Sequence, residues 1–368
     1  MTIGPFDPRL AALAPPARDF GSDNRAPMCG AALNALVDSN ATARDDSYGA
    51  DSWTSRASAA LATHFSTPVE VTWVPTGTVA NMVAIGAARP GPAACILVAE
   101  DAHMRLDEAG AIERAWGTPL VPIPTPEGKL TVEAVETILK ALASNSSFSP
   151  DPAILAITLI SESGRTYTPS EIGRLCRLAH SHGMTVHIDG ARFANALAAQ
   201  PGLNSIFELG AETVVVGGTK NGLHTVEAIV TADPVRTRLV RRAAKQLGAV
   251  TSKQRFLTAP AAGCLEGRCW LGHATNANLV ATQIGDGLTR IGLEAWRPID
   301  GNLVFVRLGD EELAEALNAW CRVSHWGPDG LVRLACAWDH RADDATRIVA
   351  GIAALCVPRT QDNADKPT

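Results

Sequence analysis

Three polar features stand where strand-like apolar runs stop. Lys220 follows Val214-Val215-Val216 through Gly217 and Gly218. The glycines let backbone and cofactor approach closely, and an amine at a strand end is placed for covalent chemistry. Asp189 closes an apolar run in MTVHIDGARFANAL, where a buried carboxylate is costly unless it is paired. Pro75-Thr76-Gly77-Thr78 follows the run 69–74 and opens a helical pattern, so its free N–H groups and helix dipole suit an anion. Taken alone, the lysine reads equally as a side chain snorkelling to solvent, and the helix start as a plain threonine N-cap. Together and in this order they match the needs of pyridoxal phosphate (PLP). The lysine holds it covalently, the aspartate keeps its pyridine nitrogen protonated, and the helix start takes its phosphate. There is no GxGxxG and no Walker lysine to support a dinucleotide or nucleoside triphosphate instead.

These residues need a sheet to bring them together. Strand candidates fall at 69–74, 94–98, 120–122, 154–160, 185–188, 213–216 and 228–231. Several are nearly continuous hydrophobics, the mark of strands covered on both faces. Helical patterns at 77–88, 132–143 and 170–182 alternate with them. This predicts an α/β fold with a mainly parallel sheet and helices on both sides, in three layers. After a helix-rich stretch at 245–290, strands at 303–308 and 331–337 and helices at 311–320 and 343–356 predict a smaller α+β unit. The expected division is an N-terminal arm at 1–20, a large PLP-binding domain at 21–258, a small domain at 259–357 and a disordered tail at 358–368.

The chain has 368 residues, 46% hydrophobic and 19% charged, with a net charge of -6 and no basic block. Nucleic acid and anionic membrane are therefore poor partners. No apolar stretch approaches the ~18 residues of a membrane helix, and the N-terminus does not resemble a signal peptide. The eight cysteines are scattered without a CxxC pair, which suits small core residues in a reducing cytoplasm. Cys264 and Cys269 have no His or Cys pair at zinc-like spacing, so no metal site is expected.

Several segments resemble the PLP-dependent L-threonine aldolases of fold type I, the aspartate-aminotransferase-like fold, and above all their low-specificity bacterial branch. They are FGSDN, DDSYGAD, VPTGTVANM, DAHMRLDEAG, SGRTYTPSEI, HIDGARFANAL, GGTKNG, SKQRFL and HWGPDGLVRL, spread from about Phe20 to Cys356. The resemblance implies that Lys220 binds PLP covalently, that Asp189 partners the pyridine nitrogen, and that Gly77 and Thr78 hold the phosphate. His103 would stack on the pyridine face and help with proton transfer. Arg192 would contact the cofactor phenolate and the substrate carboxylate, with Ser22 and Arg333 also on that carboxylate. Arg255 would reach the phosphate of a neighbouring subunit, with Lys245 a weaker candidate. Tyr48 would lie near the pocket, and Glu108 and Glu162 hold matching positions of second rank. His187 and His224 read as structural.

The implied reaction is retro-aldol cleavage of a β-hydroxy-α-amino acid, such as threonine, allo-threonine or phenylserine, to glycine and an aldehyde. His103, a bound water or the cofactor phosphate would take the hydroxyl proton. The resemblance also implies a homo-oligomer, tetramer or dimer, with shared sites. NATARDDSYGADSW and VSHWGP depart from the branch, the latter placing Ser324 and His325 where Asp-Arg is expected. Both segments bear on substrate preference. The rival readings are β-elimination, transamination or transaldol transfer on the same fold, a non-catalytic PLP-binding protein, and an α/β enzyme whose lysine binds an anion.

Overall fold

Runs of valine, isoleucine and leucine build a sheet buried on both faces, and its edges set where the polar residues gather. The computed structural model describes residues 7–41, 44–88, 90–144 and 147–356. The tail expected at 358–368, the first six residues of the N-terminal arm and two residues of NATARDDSYGADSW lie outside the described residues.

Strands β1 (Glu70–Val74), β2 (Ala94–Ala99), β3 (Leu120–Ile123), β4 (Asp151–Thr158), β5 (Thr185–Asp189), β6 (Thr213–Gly217) and β7 (Glu227–Thr231) form one sheet. Its order is β1-β7-β6-β5-β4-β2-β3. Strands β2 to β6 run parallel, and β7 runs antiparallel to both β1 and β6. The start of β7 therefore lies beside the carboxyl ends of its neighbours, with Glu227 opposite Gly217. Alternation along β6 sends Val214 and Val216 into one apolar cluster and Val215 into another. Helices cover both, giving the expected three-layer α/β/α architecture. One of them, Pro169–Ser181, starts at a capping box in which Glu171 Oε2 accepts the Thr168 amide at 2.7 Å.

A second sheet joins β8 (Leu303–Arg307), β9 (Ser324–Gly327) and β10 (Leu331–Ala335) in the antiparallel order β8-β10-β9. Helices Glu311–Cys321 and Ala342–Cys356 pack on it. Strand β9 was not expected; it is a short edge strand whose SHWG sequence lacks apolar alternation.

The expected division at residue 258 falls inside the helix Arg255–Glu266, which packs on the helices Gly30–Ala41 and Ser52–Ala62. The two cores meet instead along the helix Cys269–Arg290. Its Trp270 and Ala274 enter the core of the large sheet, while Ala277, Ile284 and Leu288 enter that of the small one. The N-terminal arm expected at 1–20 is docked along part of its length. Leu10 and Phe20 are fully buried in the second core, and Phe20 O accepts the Ala335 amide at 2.9 Å. Burial of these two side chains stabilises the arm by roughly 1.5–3 kcal/mol each.

Candidate active site

Strand β5 delivers Asp189 to the carboxyl edge of the sheet and stops there, because Asp189 Oδ1 accepts the Ala191 amide at 3.0 Å and turns the chain. Its Oδ2 accepts from Asn81 Nδ2 at 3.1 Å. Asn81 lies one turn into the helix Gly77–Ala88 and ties three elements together. The same amide donates to Glu108 Oε1 at 3.0 Å, and Asn81 Oδ1 accepts from His187 Nε2 at 3.1 Å. His187 Nδ1 then accepts from the Thr213 hydroxyl at 2.8 Å, so both ring nitrogens of this buried histidine are used. Burial pushes its pKa down to about 4, leaving it neutral. Glu108 Oε1 also takes His103 Nδ1 at 2.9 Å, and this bond raises the pKa of the half-exposed His103 against the effect of its burial.

Lys220 sits in the short turn Thr219–Asn221 that follows β6. The turn hugs the sheet because Gly217 and Gly218 lack side chains. A Cβ on Gly217 would run into the Ala191 carbonyl, and one on Gly218 into that of Val226. The Gly218 amide donates to Glu227 Oε2 at 2.9 Å. Glu227 is buried at the head of β7, and burial pushes its carboxyl up to about 7 although Lys220 pulls it down. Lys220 Nζ itself has no hydrogen bond or ion pair with the described residues. Its charge acts on Asp23, His103 and Glu227.

Arg192 is buried, with its fork on Asp23: Nε donates to Oδ2 at 2.7 Å and Nη2 to Oδ1 at 3.0 Å. Asn302 Nδ2 adds a third bond to Asp23 at 3.0 Å. Burial opposes the Asp23 charge, but Arg192 and Lys220 outweigh it and hold the carboxyl below its usual range. Arg333 stands nearby on β10, its guanidinium 4.6 Å above the Trp326 ring and its Nη2 3.4 Å from Ser324 Oγ. Its Nε is buried without a partner among the described residues, and burial together with Arg192 lowers its pKa. Two close guanidiniums with spare donors form a receptor for a carboxylate. Buried Glu162 acts electrostatically on both arginines and on His103.

Ser22 caps the turn Asp23–Arg25, its hydroxyl accepting the Asn24 amide at 3.2 Å, and so neighbours the carboxylate receptor. Gly77 and Thr78 open the helix Gly77–Ala88, and neither amide has a partner among the described residues. The remaining expected residues form a separate group. Tyr48 is 59% exposed, with Lys245 Nζ 4.7 Å over its ring, and Arg255 lies over Phe256 with its Nε buried and unpartnered. In VSHWGP, Ser324 faces Arg333 while His325 turns to Glu311 at 3.8 Å. His224 contacts Thr225 at 3.0 Å on the exposed side of the Lys220 turn.

Asp23, Asn81 and Glu227 are functional neighbours that the sequence reading missed. Glu227 opens an apolar strand just as Asp189 closes one, and the same anomaly would have marked it. The grounds for setting aside Cys264 and Cys269 also need correction. Folding brings Cys29 and His273 to them, so that the four ligand atoms lie within 4.8 Å of one another.

The residues fit PLP: free amides at a helix start for a phosphate, a buried carboxylate with unused lone pairs for a ring N–H, and a lysine amine with no partner among the described residues, on a turn packed against Gly190 and Ala191. Fold and site together define a PLP enzyme of fold type I. A profile of the family described as beta-eliminating lyase matches residues 19–311, and the chain belongs to that family. It is 32% identical to a low specificity L-threonine aldolase of Pseudomonas sp. (strain NCIMB 10558) over 343 residues, 92% of this chain and 98% of that one. It is 33% identical to a low specificity L-threonine aldolase of Pseudomonas aeruginosa over 329 residues, 88% and 93% of the two chains. The structure of a Leishmania major threonine aldolase superposes with a TM-score of 0.84 at 24% identity, covering 92% of this chain and all (100%) of that one. At that identity it speaks for the fold.

Proposed function

We propose that the protein is a PLP-dependent aldolase that cleaves the Cα–Cβ bond of β-hydroxy-α-amino acids, threonine, allo-threonine or phenylserine among them, to glycine and an aldehyde. The reading is carried by one observation: the turn bearing Lys220, whose amine has no hydrogen bond or ion pair among the described residues, packs against Gly190 and Ala191 directly after Asp189. The names of the Pseudomonas relatives support the substrate class.

Lys220 would hold the cofactor through its amine, Asp189 would keep the ring nitrogen protonated, and the amides of Gly77 and Thr78 would hold the phosphate. Bound there, PLP supplies the sink for the electron pair released when Cα–Cβ breaks. Arg192 and Arg333 grip the substrate carboxylate and Ser22 adds a hydroxyl, which fixes the bond to be broken. His103 would stack on the ring. With Nδ1 on Glu108 and Nε2 free of the described residues, it is the side chain equipped to move the β-hydroxyl proton.

The protein works as a homo-oligomer, with Arg255 and Tyr48 serving a neighbouring subunit's site. Exposed Leu33 and Val37 on one helix face, exposed Tyr48 and the unpartnered Arg255 Nε support this. Among the described residues no helix is long and apolar enough to cross a membrane, and the eight cysteines are free, which supports a place in the cytoplasm.

The test is the visible spectrum of the purified protein with added PLP, followed by product analysis with L-threonine and phenylserine. A bound chromophore, absent in Lys220→Ala, with glycine and free aldehyde as products, is expected. A keto acid with ammonia would instead assign β-elimination, the reaction after which the family is named. A wild type that binds no PLP would end the reading.

A further inference from the structure

Behind the Lys220 turn lies a cluster that the reaction does not use. Cys29 precedes the helix Gly30–Ala41, Cys264 lies in the last turns of Arg255–Glu266, and Cys269 and His273 occupy successive turns of Cys269–Arg290. One donor atom from each lies within 4.8 Å of the other three, and Cys29 and Cys264 are buried. The sulfurs of Cys264 and Cys269 are 2.7 Å apart, and His273 Nδ1 is 4.0 Å from the Cys264 sulfur.

We propose that Cys29, Cys264, Cys269 and His273 form a structural site for a soft divalent cation, zinc above all, that clamps the turn carrying Lys220 to the helix pair behind it. Three sulfurs and one imidazole make a donor set that a structural zinc ion takes in a closed tetrahedron, with Zn–S near about 2.3 Å and Zn–N near about 2.1 Å. Ligand atoms in such a tetrahedron stand about 3.5–3.8 Å apart, so the observed group needs shifts of only about 1 Å. A Cys264–Cys269 disulfide would account for two of these side chains and leave the approach of Cys29 and His273 without a purpose.

The connection to the Lys220 turn is direct. The Cys29 amide donates to Gly222 O at 2.8 Å, a bond that uses no ligand atom and persists when the metal binds, whereas the 3.2 Å contact of His273 Nδ1 with Asn221 O belongs to the metal-free protein. Asn221 Nδ2 in turn donates to Trp270 O at 2.7 Å, on the same helix as Cys269 and His273. Gly222 takes a φ of +82°, and a side chain there would press on His273. Loading the site removes the protons of three thiols to solvent and moves the His273 proton to Nε2, so that Nδ1 leaves Asn221 O for the metal. The site therefore needs no substrate, and its existence does not depend on which PLP reaction the enzyme performs.

The experiment measures metal rather than turnover. Wild-type protein is desalted from zinc-containing buffer and its zinc content determined, and reactive thiols are counted with and without the ion. Replacement by cobalt then reports the coordination in the red of the visible spectrum, away from the cofactor. We expect about one ion per chain, a tetrahedral thiolate–cobalt spectrum, and three thiols protected by the ion. Cys29→Ser and His273→Ala should weaken binding at least about a hundredfold, while Cys356→Ser, outside the cluster, leaves it unchanged. Should the cluster variants fail to fold, the wild-type stoichiometry, thiol count and cobalt spectrum still decide. Absence of bound zinc with eight free thiols, a disulfide within the cluster, or full binding in folded Cys29→Ser and His273→Ala would each overturn the proposal.

Discussion

Arg192 and Asp23, 169 residues apart in the chain, meet in a buried two-pronged ion pair at 2.7 and 3.0 Å. Asn302 holds the same carboxylate from the smaller sheet, so the pair fastens the start of the chain to both cores. The Arg192 guanidinium, proposed above to receive the substrate carboxylate, is thus fixed in the protein before any substrate arrives.

Removing that carboxylate should be costly in two separable ways. Asp23→Ala leaves a buried cation unpaired and should lose about 3–5 kcal/mol of stability, read from urea unfolding. Asp23→Asn keeps the shape and one acceptor, so it should fold and show a raised KM for amino acid with a smaller change in kcat. Equal effects on both constants would show that Arg192 is not positioned by Asp23.

Glu108 raises the pKa of His103, and Glu108→Gln should bring it back towards its ordinary value. A histidine whose folded pKa is raised contributes stability that is complete below the unfolded value of about 6.5 and disappears as pH climbs through the folded value. The variant should therefore lose the decline in stability just above pH about 6.5. The histidine-dependent limb of its kcat/KM profile should move to lower pH. Superimposable profiles would remove Glu108 from the proton path.

Glu227 behaves in the opposite half of the pH scale. Burial lifts its carboxyl to about 7 from the ordinary 4.5. The folded state therefore holds a proton that the unfolded chain has released, and this advantage fades as pH rises from 4.5 through about 7. Glu227→Gln keeps an acceptor for the Gly218 amide and is free of the penalty. Its unfolding free energy from urea titration should match wild type at acidic pH and exceed it above neutrality, by on the order of 3 kcal/mol at full effect. Parallel curves for the two proteins would place the titration elsewhere.

Much of the fold was legible because burial on both faces writes itself as unbroken apolar runs. All seven strands of the large sheet stand at or near their expected positions. The helices Gly30–Ala41 and Ser52–Ala62 were not legible, because alanine, serine and asparagine leave no clear apolar stripe. Their packing rests on small residues, as where Gly263 meets Ala31 and Ala35. Lys220 and Asp189 could be read because each breaks an apolar strand at its end. Asp23 and Asn81 could not, since their meaning comes from partners more than a hundred residues away.

The placement of Leu10 and Phe20 beneath β10 has a consequence for how the chain matures. The large sheet can close once residue 231 has been made. The second core needs both the first segment and strands ending near residue 335, so it closes across nearly the whole chain. Such long-range closure is slow. During synthesis the arm must wait, unpaired, for its docking strand. Asp23, only three residues beyond Phe20, is drawn into place by the same closure. On the proposed assignment, the half-made chain therefore has its lysine turn and phosphate cradle before it has a finished carboxylate receptor, and competence to bind substrate arrives only with the last strand.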